Sequence, residues 1–93
     1  SAEAIGTDLK VDYIFHNNFG TANLKNANFK NANLGYASLY KANLTNANLS
    51  GVELNETFFG GADLTNANLS DATGQVIITT NTILKCLNHS ICE

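Results

Sequence analysis

The 93-residue chain contains no arginine, and its five lysines, at 10, 25, 30, 41 and 85, form no dense run. Phosphate and base readout lean on arginine or clustered lysine, so no direct nucleic-acid contact is expected. Strong acidity is missing as well, since eight acids against five lysines leave a net charge of only −3. No stretch approaches the roughly eighteen apolar residues of a membrane helix, and no membrane span is expected. A basic n-region ahead of an apolar h-region, the mark of a signal peptide, is also missing. There is no glycine-rich phosphate loop, because Gly60-Gly61 sits inside a longer pattern. His16 could pair with a serine or carboxylate, yet an exposed lone histidine is far more often inert. These absences argue against an enzyme and leave no catalytic residue, cofactor or metal ligand to expect.

What the chain has instead is a period of five. From Thr21 to Ser50, alanine, a small polar residue and leucine or phenylalanine return at every fifth position. Five residues advance an α-helix by about 500°, so successive leucines would spiral around it. Five is also odd, so on a flat strand they would alternate between faces. The chain must turn as it goes, each unit forming one short side of a coil whose large residues share an axis. In this register the inward positions are Leu9, Ile14, Phe19, Leu24, Phe29, Leu34, Leu39, Leu44, Leu49, Leu54, Phe59, Leu64 and Leu69. Two residues before each stands a small one, alanine in most units, Val52 and Thr57 in two, and Thr7, Asp12 and Asn17 in an imperfect first coil. Small residues beside large ones let a narrow axis close at native density.

The units ANLKN, ANFKN, ANLGY, ASLYK, ANLTN, ANLSG, ADLTN and ANLSD resemble the pentapeptide-repeat family, whose signature is A(D/N)LXX, over roughly residues 7–74. The resemblance implies an all-β fold, a right-handed quadrilateral β-helix with four units per coil. Recurrences at twenty residues, such as Asn26, Asn46 and Asn66, give limited support for four sides. With coils about 4.8 Å apart the stack is a short solenoid. The organisation expected is an arm over 1–6, a β-helix over 7–74 and a capping tail over 75–93. Asparagine before each central residue suggests amide ladders between coils. Some family members protect DNA gyrase by imitating duplex DNA, which calls for a long acidic rod; inhibition or protection of gyrase or another topoisomerase is the alternative reading here.

Four-sided geometry gathers Tyr13, Phe15, His16 and Tyr36 on one outward face and Tyr40 and Phe58 on the next. Stacking along a column, with Phe15 shielding Gly35, is one reading. The other is a contact patch for another protein or a second copy, which fits a non-catalytic binding or scaffold module. The repeat breaks at Gly74. Beyond it Val76, Ile77 and Ile78 read as a strand, and Ile83, Leu84, Leu87 and Ile91, after an N-cap at Asn81, as a short C-terminal helical cap. Cys86 and Cys92 are expected to form a disulfide. Six residues of continuous helix would separate them by about 9 Å, so the chain must fold back near Asn88. Free thiols and a Cys86–His89–Cys92 metal site short of a fourth ligand are the rivals. A bridge implies an oxidising periplasm or thylakoid lumen, reached with a signal since removed; without it the cytoplasm is expected.

Overall fold

In each unit five backbone N–H groups need acceptors, and a unit with asparagine or aspartate before its central residue supplies one for each. In the computed structural model, which describes residues 18–93, the unit 42–46 shows the scheme. Ala42 N–H donates to Leu39 O (3.0 Å) and closes a turn, Asn43 N–H reaches back to Ala22 O (3.0 Å), and Leu44 and Asn46 reach forward to Asp63 O (2.8 Å) and Thr65 O (2.9 Å). The fifth donor, Thr45 N–H, bonds to the side-chain Oδ1 of Asn43 at 3.0 Å. The same contact recurs at Asn28, Asn33, Asn48, Asp63 and Asn68. Asparagine before each central residue is therefore a local cap on its own turn. This corrects the expected amide ladder: the Oδ1 atoms bond two residues ahead within their own coil, and among the described residues only Asn68 Oδ1 also receives a side-chain amide from the next coil, Asn88 Nδ2 at 3.0 Å.

Parallel bridges join residues twenty apart, or nineteen at Phe58–Ile77 and Asn68–Leu87, so a coil has four sides. The first side stacks Asn18, Ser38, Phe58 and Ile77; the second Asn23, Asn43, Asp63 and Ile83; the third Asn28, Asn48, Asn68 and Leu87; the fourth Asn33, Glu53 and Thr73. At each corner the chain turns with positive φ at one position, and that position is Asn26, Asn31, Asn46, Asn66, Asp71, Gly51 or Gly61 in most units. Those residue types enter the left-handed region at least cost. Four-residue turns closed between residues three apart, with positive φ only at the third residue, follow the type II pattern.

Leu24, Phe29, Leu34, Leu39, Leu44, Leu49, Leu54, Phe59, Leu64 and Leu69 fill the axis at 0–1% exposure, interleaved with Ala22, Ala27, Ala32, Ala37, Ala42, Ala47, Val52, Ala62 and Ala67. Each buried leucine or phenylalanine contributes about 1.5–3 kcal/mol. Thr57, the polar residue in the small slot, is fully buried, and its hydroxyl donates to Leu34 O at 2.6 Å. Phe19 is half-buried and meets Phe29 edge to face at 6.3 Å. Leu9, Ile14, Thr7, Asp12 and Asn17 lie outside the described residues.

No helix occurs among the described residues, and the expected helical cap is replaced by a fourth coil. Its sides are irregular: the bridging residues Thr73, Ile77, Ile83 and Leu87 follow one another at intervals of four, six and four. Those shortened sides create the spacing that reads as helical in the sequence. The upper edge of the preceding coil decides the outcome. Leu64, Asn66 and Leu69 N–H groups point at it, and Ile83, Lys85 and Leu87 carbonyls accept them at 2.9, 2.8 and 3.0 Å. A helix from Asn81 would leave those donors unpaired, at about 1–3 kcal/mol each when buried. Gly74 stands where a central leucine belongs because a Cβ there would lie 2.7 Å from Asn55 N. The Cys86–Cys92 disulfide closes the end with Cα atoms 5.0 Å apart, across a reversal at Asn88, which has φ 69°.

Candidate interaction surface

The outward surface concentrates its unusual residues where the fourth side turns into the first. The column there holds Tyr36 above Glu56, and beside it Gly35, Asn55 and Gln75 succeed one another at twenty-residue intervals. Gly35 and Gly74 lack side chains, and the result is a concavity of about 570 Å³ lined by Asn33, Tyr36, Glu53, Glu56, Gln75 and Ile77 among others. That volume is within the range of ligand-binding clefts, about 300–1,000 Å³. The Glu56 carboxylate, hydrogen-bonded to the Tyr36 phenol and negatively charged beside it, raises the phenol above its usual range.

Across the corner, Tyr40 and Phe58 stack with ring centroids 6.2 Å apart and planes at 15°, and Lys41 Nζ lies 5.3 Å from the Tyr40 centroid. Gly60 is buried because the Phe58 ring covers it; a Cβ there would meet ring Cζ at 2.3 Å. An aromatic thus shields a glycine, at Phe58 and Gly60. Ile77 pairs with Phe58 in the ladder and lines the groove, so the two features adjoin. Of the outward aromatics, Tyr36 is 50% and Tyr40 44% exposed. Tyr13, Phe15 and His16 lie outside the described residues. Sequence reasoning missed Glu53, Glu56, Gln75 and Ile77, which the twenty-residue column alone would have placed next to Tyr36.

Among the described residues no group of three His, Cys, Asp or Glu converges as a metal site, and both cysteines of the Cys86–His89–Cys92 alternative are consumed by the disulfide. No helix among them is long and apolar enough to cross a membrane.

A repeating small–polar–large unit, four sides per coil and self-capped corners leave one comparison to make. The sequence profile of Pentapeptide repeats matches in eight copies, over residues 22–59 and 42–73. The chain is a pentapeptide-repeat protein. Members of this family share the right-handed quadrilateral β-helix, and solved structures agree. The pentapeptide-repeat protein Rfr23 from the cyanobacterium Cyanothece 51142 is 34% identical with a TM-score of 0.81, covering 87% of this chain and 56% of its own. A pentapeptide-repeat protein from the thylakoid lumen of Arabidopsis thaliana is 33% identical with a TM-score of 0.53, covering 88% and 57%. HetL of Nostoc sp. strain PCC 7120, involved in heterocyst differentiation regulation, is similar in fold alone, at 24% identity and a TM-score of 0.53 over 92% of this chain and 40% of HetL. This pentapeptide-repeat protein therefore spans little more than half the length of the first two. No curated protein matches it. Pentapeptide-repeat proteins are generally non-catalytic scaffold modules.

Proposed function

We propose that the protein is a non-catalytic recognition module that binds another protein through the groove of the fourth side and the adjoining Tyr40–Phe58 pair. The observation that carries this is where the backbone is strained. At the positive-φ corner, Asn, Asp and Gly sit at little cost, yet Thr21, Tyr36, Lys41 and Glu56 adopt φ 59°, 59°, 54° and 55°. Each costs about 1–2 kcal/mol relative to an ordinary conformation. Tyr36 and Glu56 line the groove, and Lys41 sits over the Tyr40 ring. Stability is given up where bulky, chemically distinctive side chains reach outward. The groove offers carboxylates, amides and a phenol beside Val76 and Ile77, the mixture of polar rim and apolar contact found in protein interfaces.

The test is affinity capture with the wild type and with a Tyr36→Asn, Glu56→Asn double variant. The variant is expected to lose the partner while its denaturation midpoint stays level or rises, since asparagine relieves the strained corner. An unchanged partner list would overturn the reading.

Imitation of duplex DNA is the competing reading. The described acids form no continuous face, with Asp63 on the second side, Asp71 at the corner after the third, Glu53 and Glu56 together at the groove and Glu93 in the terminal loop. Faces so thinly charged favour protein recognition. Inhibition of gyrase supercoiling at low micromolar protein would reverse that preference. The disulfide, together with the lumenal relative, supports an oxidising compartment such as a thylakoid lumen or periplasm.

A further inference from the structure

We propose that His89 is a proton-operated latch on the disulfide-closed loop that ends the stack. The Cys86–Cys92 bridge returns the chain on itself with His89 between the cysteines. His89 Nε2 lies 3.2 Å from Ala72 O, and Nδ1 receives the Ile91 N–H at 3.2 Å. A carbonyl can only accept and an amide N–H can only donate, so these two neighbours specify the neutral imidazole with its proton on Nε2. One ring thereby ties the loop both to the last small residue of the axis and to its own returning arm. That arm carries Ile91, half-buried against the core, while Cys92 N–H donates to His89 O (3.1 Å) and Glu93 N–H to Leu84 O (2.7 Å).

A second proton, on Nδ1, sets N–H against N–H at that 3.2 Å contact. The imidazolium keeps its bond to Ala72 O and strengthens it, but it has nothing to offer the Ile91 amide. The returning arm must then leave the ring. Among the described residues no charged group pairs with the ring. The concavity beside the ring, about 360 Å³, is lined by Gly74, Gln75, Val76, Ile78, Ser90 and Ile91 in addition to His89. Asp71, Lys85 and Glu93 are the ionisable residues closest along the neighbouring segments, and none of them pairs with the ring. The neutral ring is the locking form, so the latch holds while the ring is neutral and is lost when a second proton is added at lower pH. Its release uncovers Ile91 and Val76, which pack against the core.

The test uses the oxidised full chain, with nuclear magnetic resonance of the His89 ring carbons and the Ile91 amide between pH 8 and pH 5. The Ile91 amide shift is expected to move with the same midpoint as the His89 ring. Its protection factor, corrected for intrinsic exchange, should fall roughly five- to tenfold, the worth of one hydrogen bond, while that of Leu44 stays constant. In His89→Phe the Ile91 amide should be unprotected at both ends of the range. A ring that titrates while Ile91 keeps its shift and protection would overturn the latch, and so would a His89→Phe protein whose Ile91 retains the wild-type pH response. Failure of that variant to fold leaves the wild-type titration to decide alone.

Discussion

From Asn23 to Ser70 most sides of the coil cap their own turns, with the Oδ1 of an asparagine or aspartate two residues from its N–H partner. The last coil has Ile77, Ile83 and Leu87 at the equivalent positions, 44%, 40% and 46% exposed, and none of these side chains can accept a hydrogen bond. It is fastened by other means: Thr79 Oγ1 receives Gly61 N–H at 3.2 Å, Thr82 Oγ1 donates to Phe59 O at 2.9 Å, His89 grips Ala72 and Ile91, and a disulfide closes the loop. One region is specified unit by unit with local chemistry; the other is specified by long-range fasteners laid on the edge beneath it. Loss of any one element should therefore be felt differently in the two regions.

The largest contrast is expected between two leucine truncations. Leu44→Ala empties a slot at 0% exposure between two complete coils and should cost about 3–5 kcal/mol, whereas Leu84, at 6% in the last coil, has space to collapse into and should cost about half as much. Equal midpoints in denaturant would show that the last coil is packed as rigidly as the rest.

Reduction of the Cys86–Cys92 bridge comes next. Opening so short a loop removes about 2–3 kcal/mol on the chain-entropy model. Hydrogen exchange should place the loss in the last coil, with the Ile83 and Leu87 amides less protected and those of Asn43 and Asn48 unchanged. Uniform loss across the stack would mean that the coils unfold as a single unit and that the contrast between regions is only one of construction.

The smallest effects concern the caps themselves. Asn48→Ala removes the acceptor for both Ser50 N–H (3.0 Å) and Ser50 Oγ (2.7 Å) and should cost about 1 kcal/mol. Ile83→Asn supplies the last coil with a cap that it lacks, facing Lys85 N–H, and should be neutral or stabilising within about 0.5 kcal/mol despite the lost β-branched side chain. Thermal midpoints of both variants measure whether the caps act as independent parts.

The inward register, the small slots and the turn at every fifth residue were legible because they depend on residues within one unit. Leu24 to Leu69 and the alanines beside them could be assigned from spacing alone. The closure of Cys86 to Cys92 was legible too, from the geometry a bridge demands. The last coil was not, because Ile83, Leu87 and Ile91 stand four apart for reasons outside their own segment: the donors of Leu64, Asn66 and Leu69 select an extended edge over a helix. The role of asparagine was misassigned for a related reason. Stacking and self-capping place the same residue at the same site, and only the direction of Oδ1 separates them. The groove depends on Glu53 and Glu56 meeting residues twenty positions away, which becomes visible once the number of sides is known.

Four sides of five residues also give the molecule two different units of inheritance. Inserting five residues into the regular coils keeps every leucine on the axis and every asparagine at its turn, so the interior tolerates it. The same insertion rotates everything beyond it by one side and pulls apart columns built across coils, separating Tyr36 from Glu56 and Tyr40 from Phe58. Only an insertion of twenty residues, one full circuit of the bridges, lengthens the rod and leaves its outer surface in register. The core can thus grow in steps of five, while any recognition surface spanning two coils can be carried forward only in steps of twenty.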